Sequence, residues 1–299
     1  MKLEHVDCDL CGSKEYIVRY RKPDTWLWLN QFEYPVVECV SCGLVYVNPR
    51  PTFESMAEFY PTDYHDNRND EHHRKRYELQ FSYINEFSGK RILDIGCARG
   101  DWLNFIREKW IDSNLHGVDA FSSGVSGANI DFHKCLLPDA KLPVDYFDLI
   151  TSWAVFEHLH TPAKYFEMVS KVLQKGGKFV FLVPNSESCY GRHAYQEDIP
   201  RHLYHFSEKT LRLYAESFGL KLENVYYDDR FWDGRGWGTF RLGFGHLVGV
   251  TWQSLYFRKL NLIQKIAMKL GGALDRLVFS THWEAKMRRS GIMVAVMGK

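Results

Sequence analysis

The chain has 299 residues, 45% hydrophobic and 25% charged, which is an ordinary composition for a globular protein. This length allows one α/β domain with a small accessory module. The formal net charge of +1 provides no general basic surface for nucleic acid, and no stretch reaches the roughly 20 apolar residues of a membrane-spanning helix.

The first residues, Met1 to His5, lack the apolar run of a secretory signal, which predicts a cytoplasmic location. The seven cysteines are then expected to be thiols in a reducing compartment. Under these conditions a paired cysteine spacing indicates metal ligands rather than disulfides.

Four cysteines near the start of the chain form two C-x2-C pairs, Cys8 with Cys11 and Cys39 with Cys42, about 27 residues apart. Each short turn can present two sulfurs to one ion, and tetrahedral Zn²⁺ accepts four thiolates. We therefore predict a structural zinc site in a small module of hairpins, with no open position for Lewis-acid chemistry. An empty or disulfide-linked module is the alternative.

A polar helix is predicted near residues 71–87, and from Lys90 onward apolar strands alternate with helices. The predicted strands are 91–95, 115–118, 131–133, 147–153, 178–183, 220–227 and 292–297. The first predicted helix is 101–110. The second starts at Pro162, with Thr161 as its N-cap, and ends at Gly176 and Gly177. The third runs from Ser207 to Gly219. This alternation predicts a doubly wound, mostly parallel sheet.

A small-residue turn, with Gly96, Ala98 and Gly100, follows the first of these strands and opens a helix. Small residues allow a ligand to approach the backbone, and the helix N-terminus supplies N–H donors. A dinucleotide fingerprint would place a glycine where Asp101 stands, and the Gly-Lys-Ser/Thr sequence of a phosphate-binding loop is absent. We therefore expect a ligand that is not held through phosphates.

Asp119 follows the second strand, where a carboxylate can accept hydrogen bonds from two ribose hydroxyls. A ribose-binding acid without a phosphate site suits an adenosine that carries a charged thioether. Asp94, before the turn, is a candidate for placing the ammonium of that ligand, directly or through water. Glycines that merely form a turn are the simpler alternative.

These residues resemble the class I S-adenosylmethionine-dependent methyltransferases, whose first motif reads Asp-x-Gly-x-Gly-x-Gly. Here Ala98 replaces one glycine, and residues 146–150 and 173–177 look like the entry to strand four and the turn before strand five. The resemblance implies a Rossmann-like sheet of seven strands, with the last strand antiparallel and placed between strands five and six. The expected cofactor site contains Asp94, Gly96, Ala98, Gly100, Asp119, Ala120, Leu136, Leu137 and Trp153.

A more specific resemblance is to zinc-bearing methyltransferases of sugar, surface-polysaccharide and natural-product pathways. It rests on the four cysteines, on residues 43–50 and 155–159, on Pro184-Asn185, and on residues 198–203. It implies a small-molecule acceptor, with a sugar or sugar-nucleotide hydroxyl or carbon as the first expectation.

Two histidines are candidates for the base that removes the acceptor proton, because histidine has a near-neutral pKa. Glu157 and His158 follow strand four at the carboxyl edge of the sheet, where ligands of open α/β folds bind. His202 is the second candidate. A structural role, in holding a loop or capping a helix, remains the alternative for both histidines.

Residues 231–287 form an aromatic insert before the last strand, with Phe231, Trp232, Trp237, Phe240, Phe244 and Trp252. Within it, apolar residues recur at helical spacing from Tyr256 through Leu260, Ile263 and Ala267 to Leu270, opposite a basic face. We expect a lid or dimer helix packed on the core, and peripheral membrane contact is the alternative.

The sequence divides into a zinc module (1–60), a helical linker (61–89), the methyltransferase core (90–230), the insert (231–287) and the final strand (288–299). We predict a cytoplasmic methyltransferase that contains structural zinc and has no nucleic-acid partner, and a homodimer is one of the expected assemblies. A non-catalytic cofactor-binding protein and a nucleic-acid methyltransferase are the alternatives, and Asp101 argues against a nicotinamide oxidoreductase.

Overall fold

The computed structural model describes residues 1–60, 70–87, 90–127, 129–190, 198–232 and 238–299. The chain forms two compact units. The first unit contains Met1–Tyr64, Pro184–Thr210 and Tyr227–Met293, and the second contains His65–Val183, Leu211–Tyr226 and Val294–Lys299. Trp237 of the predicted aromatic insert lies outside the described residues, as does part of the predicted linker.

The secondary structure alternates along the chain, with short elements first and the regular α/β pattern after residue 90. The strands are β1 (Leu3–Glu4), β2 (Tyr16–Lys22), β3 (Tyr34–Cys39), β4 (Val45–Val47), β5 (Arg50–Pro51), β6 (Arg91–Ile95), β7 (Asn114–Val118), β8 (Ile130–His133), β9 (Phe147–Trp153), β10 (Leu173–Pro184), β11 (Tyr204–His205), β12 (Lys221–Tyr227) and β13 (Ile292–Gly298). The α-helices are α1 (Phe53–Met56), α2 (Asp70–Ser82), α3 (Asp101–Lys109), α4 (Pro162–Val172), α5 (Glu208–Ser217), α6 (Thr239–Leu247), α7 (Trp252–Tyr256), α8 (Leu262–Val278) and α9 (Trp283–Lys286).

In the first unit, a four-stranded sheet has the order β11-β4-β3-β2, and β1 pairs with β5. The pairs β2–β3, β3–β4 and β11–β4 are antiparallel. The predicted hairpins of the amino-terminal segment are therefore present. Strand β11 shows that a segment some 150 residues later in the chain completes their sheet, which local sequence patterns do not indicate.

The larger sheet has seven strands in the order β12-β13-β10-β9-β6-β7-β8. Strands β10, β9, β6, β7 and β8 pair in parallel. Strand β13 runs antiparallel to β10, because the Gly176 amide donates to the Lys299 carbonyl at 3.0 Å and the Asn185 amide donates to the Gly291 carbonyl at 2.8 Å. The seven-stranded Rossmann-like sheet is thus confirmed, with the last strand between β10 and β12.

Aromatic packing on the sheet explains why α4 forms where it does. Its apolar residues recur at helical spacing, and Phe166 and Val169 are fully buried. Phe166 packs against Phe181 of β10, with ring centroids 5.8 Å apart, and against Tyr214 of α5 at 4.7 Å. Such large rings contribute both buried area and directional ring contacts, so this cluster anchors α4 and α5 to the sheet.

Two details of α4 differ from the sequence prediction. The helix ends at Val172, before Gly176, because the Tyr146 amide donates to the Val172 carbonyl and Leu173 already pairs with Phe147 of β9. Sheet pairing therefore ends the helix before the glycines are reached. Thr161 occupies the N-cap position, but its side chain makes no capping hydrogen bond.

The insert contains a pair of helices, α6 and α8, that pack closely at Gly271, where a Cβ atom would lie 2.4 Å from the Phe240 carbonyl oxygen. The Asp275 carboxylate is buried and accepts the backbone amides of Phe240 (2.8 Å) and Arg241 (3.0 Å), which lie in the first turn of α6. Among the described residues, no helix is both long enough and apolar enough to cross a bilayer.

The prediction of which residues of α8 face inward is wrong in part. Asn261 and Gln264 form a capping box that starts a new helix, so Tyr256 and Leu260 are not on α8. Ile263 and Leu270 are 68% and 61% exposed. The face that packs on α6 carries Met268, Gly271 and Asp275, which apolar spacing alone does not select.

Candidate functional site

The turn after β6 has the backbone conformation that small residues allow. Gly96 and Gly100 have φ values of +73° and +81°, and Ala98 has a φ of +47°. A Cβ atom at Gly96 would lie 2.4 Å from a methyl carbon of Val155, so glycine is required there by space as well as by conformation. Ala98 adopts the left-handed region despite its side chain, and such strain is concentrated at functional sites.

Asp119, at the end of β7, holds this turn through its carboxylate. Oδ2 accepts the Ala98 amide at 3.0 Å, and Oδ1 accepts the amides of Phe121 (2.8 Å) and Ser122 (2.9 Å). Ala120 lies inside the turn that these bonds close. The structure therefore brings Gly96, Ala98, Asp119 and Ala120 together, as expected from the sequence.

Asp94 is buried beneath the turn, with 3% of its surface exposed. The hydroxyl of Thr151 donates to Asp94 Oδ1 at 2.7 Å, and Trp102 Nε1 donates to the oxygen of that hydroxyl at 3.2 Å. Burial raises the pKa of Asp94 to about 8, with a further increase from the negative charge of Asp119, while the bond from Thr151 opposes the shift.

A buried carboxyl group of this kind favours a nearby cation, which would offset its desolvation. Thr151 and Trp102 were not among the predicted site residues. Thr151 lies beside Asp94 because the parallel register of β6 against β9 pairs these two residues, and Trp102 reaches the Thr151 hydroxyl from α3. Thr151 is two residues before the carboxyl end of β9, and this position was the available signal for it.

The N-terminus of α3 is poorly suited to bind a phosphate. Gly100 occupies the N-cap position, and Asp101 is an acid in the first turn. The helix dipole already interacts with this carboxylate, and a second anion would be repelled by it. This agrees with the expectation of a ligand without bound phosphates.

The segment after β9 lies against the same turn. Ala154 has a φ of +58°, and Val155 next to it contacts Gly96. Glu157 and His158 then form a 3-10 helix, with Glu157 buried and His158 partly exposed. Both candidate residues therefore follow the carboxyl end of β9, as the sequence predicts.

The remaining predicted cofactor residues follow neighbouring strand ends. Trp153, the last residue of β9, meets the Trp102 ring edge-on with centroids 5.4 Å apart. Leu136 and Leu137 come after β8, where Leu137 is buried at the start of a 3-10 helix. The predicted cofactor residues thus follow the carboxyl ends of β6, β7, β8 and β9, where ligands of open α/β sheets bind.

His202 belongs to the first unit, whereas Glu157 and His158 belong to the second. Its amide donates to the Asp198 carbonyl at 2.8 Å, so the backbone of residues 198–202 forms a turn. Its neighbour His205 is buried in β11, and burial lowers the pKa of the His205 imidazole to about 3. His205 is therefore neutral at physiological pH.

The four predicted metal ligands converge in the first unit. The sulfurs of Cys8, Cys11, Cys39 and Cys42 all lie within 4.8 Å of one another. The Cys8–Cys42 and Cys11–Cys39 sulfur pairs are each 3.5 Å apart, close to the roughly 3.8 Å edge of a tetrahedron with 2.3 Å zinc–sulfur bonds. The donor set and its spacing therefore fit one tetrahedral ion.

Two matching turns present these sulfurs. The Gly12 amide donates to the Cys8 carbonyl at 2.7 Å, and the Gly43 amide donates to the Cys39 carbonyl at 2.9 Å. Gly12 and Gly43 have φ values of +72° and +83°, which glycine adopts without a steric penalty. Burial raises the pKa of the Cys8 and Cys42 thiols, so these sulfurs need a cation to ionise at neutral pH.

A buried ion network in the same unit was not identified from the sequence. Arg201 is 1% exposed, and its guanidinium binds the carboxylates of Asp198 (2.8 Å from Nε) and Asp24 (3.2 Å). It also donates to the carbonyl of Phe59 at 3.4 Å. These partners come from three separate segments of the chain, so only the folded structure reveals them.

Comparisons with known proteins agree with this geometry. A family model described as "Methyltransferase domain" matches residues 68–225. Among curated proteins, the ubiquinone biosynthesis O-methyltransferase of Nitrosococcus oceani is 28% identical over 120 residues, or 36% of this chain and 50% of that protein. The malonyl-[acyl-carrier protein] O-methyltransferase of a Paenibacillus species is 27% identical over 110 residues, or 32% of this chain and 40% of that protein. The chain thus spans about half the length of the curated relatives it matches.

Two solved structures share the fold. One is a chain of the complex between the Haloferax volcanii Trm112 methyltransferase activator and a methyltransferase, with a TM-score of 0.51, 16% identity, and coverage of 83% of this chain and 98% of that one. The other is phosphoethanolamine N-methyltransferase 2 of Haemonchus contortus, with a TM-score of 0.51, 13% identity, and coverage of 95% of this chain and 68% of that one. At these identities the likeness concerns the fold.

Proposed function

Because this chain belongs to the methyltransferase-domain family, which its residues 68–225 match, we propose that it is an S-adenosylmethionine-dependent methyltransferase of the class I type. The observation that carries the proposal is the turn at Ala98, tied to Asp119 at the carboxyl edge of the sheet. The buried carboxyl group of Asp94 lies below it. These two carboxyl groups suit an adenosine with a charged amino-acid tail better than they suit a phosphate.

S-adenosylmethionine, when bound, supplies a methyl group activated by the positive sulfonium. Asp119 would accept a hydrogen bond from the ribose hydroxyls, and the exposed backbone at Ala98 would allow close approach. Asp94, once ionised beside the positive charge of the amino-acid tail, would balance that charge. These residues act by binding and orientation, which are the main requirements when the leaving group is already activated.

We propose His158 as the base that accepts the acceptor proton at an imidazole nitrogen. His158 follows the carboxyl end of β9, three residues after Val155, which contacts Gly96. Its side chain remains partly exposed. Buried Glu157 is proposed to orient this segment rather than to exchange protons itself. His202 is the second candidate for the base.

The acceptor atom is proposed to be an oxygen of a small molecule. Support comes from the names of the curated relatives, which are O-methyltransferases of ubiquinone biosynthesis and of malonyl-[acyl-carrier protein]. The resemblance to zinc-bearing enzymes of sugar pathways makes a sugar or sugar-nucleotide hydroxyl the first acceptor to test. The cysteine module is proposed to hold structural zinc, since the four clustered sulfurs would fill all four positions of a tetrahedral ion.

The proposal is tested by transfer of a radiolabelled methyl group from S-adenosylmethionine to panels of sugar nucleotides, phenols and carboxylic acids. We expect labelled product with at least one panel, and a loss of about 10²-fold or more in kcat for His158→Ala at unchanged cofactor affinity. His246→Ala is the matched control, because His246 is a partly exposed histidine of α6. Saturable cofactor binding without product on any panel would instead support a non-catalytic binding protein.

A further inference from the structure

Three side chains on neighbouring strands of the large sheet converge outside the proposed cofactor site. His116 lies on β7, and Asp131 and His133 lie on the edge strand β8. The parallel register pairs His116 with Asp131, and residues two apart on a strand share a face. One ligand atom from each residue lies within 4.8 Å of the others.

The distances suit a metal ion. His116 Nδ1 is 3.3 Å from Asp131 Oδ2, and His133 Nε2 is 3.9 Å from the same oxygen. A tetrahedral zinc ion with bonds of 2.0–2.1 Å requires ligand atoms about 3.4 Å apart. The two imidazole rings are nearly parallel, at 11°, with centroids 6.0 Å apart.

Among the residues that the structure describes, the imidazoles also lack the hydrogen bonds that buried ring nitrogens normally form. His116 is 7% exposed, yet neither of its ring nitrogens forms a hydrogen bond within the described part of the chain. The same holds for His133 Nε2. Buried nitrogens in this state are costly, and coordination to a cation would satisfy them.

The cluster of His116, Asp131 and His133 is shielded by aromatic rings on one side and open to solvent on the other. The ring of His116 lies edge-on to Phe147 at 5.1 Å and to Tyr146 at 5.9 Å, so aromatic groups shield it. The Asp131 side chain is 62% exposed. An ion bound here would have three protein ligands and a position open to water.

We propose that His116, Asp131 and His133 form a second transition-metal site, of the zinc class, which ties the edge strand β8 to β7. Two imidazoles with one carboxylate are ligands that Zn²⁺ accepts in proteins. This site uses no residue of the cysteine cluster or of the proposed cofactor site.

The test measures zinc per chain by atomic emission and then titrates Zn²⁺ calorimetrically into the protein as isolated. We expect two zinc ions per chain at saturation, and one for Asp131→Asn and for His133→Ala, with at least tenfold weaker binding at the lost site. His282→Ala is the control, because His282 faces the carboxylate of Glu284 at 3.4 Å and belongs to no three-ligand cluster among the described residues. Two zinc ions in both variants, or only one in the wild type at saturation, would overturn the proposal.

A separate observation concerns the face of α8 that turns away from α6. This face carries five exposed apolar residues, which we call the α8 stripe: Leu262, Ile263, Ile266, Leu270 and Leu277, between 50% and 73% exposed. Exposed apolar residues normally occur singly on a protein surface, and a continuous stripe indicates an interaction site.

The positive charges that border the α8 stripe favour an anionic partner. Lys265, Lys269 and Arg276 recur at helical spacing along one side of the stripe, and all three are exposed. The acid of this helix, Asp275, is buried against α6. A second copy of the helix would meet these cations with cations, whereas an anionic lipid surface would attract them.

We infer that the α8 stripe docks on an anionic membrane surface, with its apolar side chains at the level of the lipid headgroups. The test is sedimentation with phosphatidylglycerol-containing vesicles and with neutral phosphatidylcholine vesicles at low salt. We expect the wild type to bind the anionic vesicles, and the double change Ile266→Glu and Leu270→Glu to weaken this binding at least tenfold. Ile111→Glu, in an exposed turn, is the control and should bind as the wild type does. No binding of the wild type to anionic vesicles, or a dimer in light scattering that the double change dissociates, would refute this inference.

Discussion

The backbone amide of Ala98 donates to Oδ2 of Asp119 at 3.0 Å, and this bond joins the ends of two adjacent parallel strands. It fixes Ala98 with a φ of +47°, a conformation that costs an L-residue roughly 1–2 kcal/mol. The bond thus holds a strained residue at the centre of the proposed cofactor site.

Ala98→Gly is therefore expected to relieve strain. The gain is offset in part by the greater freedom of glycine in the unfolded chain, so the net stabilisation should be about 0.5 kcal/mol. Urea unfolding measures it. Ala273→Gly, in the exposed part of α8, should have the opposite sign and destabilise by about 1 kcal/mol. A loss of stability at Ala98 as large as that at Ala273 would contradict the assigned conformation.

The pKa of Asp94 predicts a pH dependence of stability. Burial raises the pKa of the Asp94 carboxyl group from an ordinary value of 3.8 to about 8. Between pH 4 and pH 8 this group therefore carries a proton in the folded protein but has lost it in the unfolded chain. The free energy of unfolding should therefore fall as pH rises from about 4 to about 8, and level off above.

Asp94→Asn keeps an acceptor for the Thr151 hydroxyl and removes the titration. We expect the difference in unfolding free energy between wild type and Asp94→Asn to change across this pH range, as measured by urea unfolding at several pH values. Asp112→Asn, in an exposed turn, is the control. A difference that is constant from pH 4 to 8 would mean that Asp94 is ionised throughout.

The cysteine module should depend on its metal. Cys39→Ser is expected to lower the zinc content by one ion per chain and to reduce the Tm by about 5–10 °C, since the proposed zinc ion would link two separate turns. Cys135→Ser is the control, because this partly buried thiol lies outside the cluster. Unchanged zinc content in Cys39→Ser would exclude the four-cysteine site.

Arg201 should be among the residues most sensitive to substitution in the first unit. Arg201→Met leaves the carboxylates of Asp24 and Asp198 buried without their shared cation, and we expect a loss of about 3–5 kcal/mol. Arg21→Met, at an exposed position of β2, should cost less than about 0.5 kcal/mol. Equal effects of the two changes in chemical denaturation would refute the structural role of Arg201.

Sequence patterns predicted most of the large sheet because each strand is an apolar run bounded by turn residues. The limits of β6 were predicted without error, and those of β7 and β8 within one residue. The strand ends in turn located Asp94, Asp119 and the segment of Glu157, because parallel strands bring their carboxyl ends to one edge. The cysteine cluster was predicted from the spacing of its two C-x2-C pairs alone.

The rest depends on contacts between distant segments. Thr151 and Trp102 support Asp94 only once β6, β9 and α3 are assembled. Arg201 requires partners more than 100 residues away. On α8, apolar spacing predicted Ile263 and Leu270 to face inward, but close packing at Gly271 and the buried Asp275 determine which side meets α6. A periodic pattern identifies an amphipathic helix without stating which of its faces is buried.

Calorimetric titration with S-adenosylhomocysteine tests whether the cofactor binds at the turn held by Ala98 and Asp119. We expect saturable binding at one site per chain, with affinity at least tenfold weaker in Asp119→Ala and unchanged in Asp112→Ala, at the opposite end of β7. No binding to a folded wild-type protein, or equal affinity in wild type and Asp119→Ala, would contradict it.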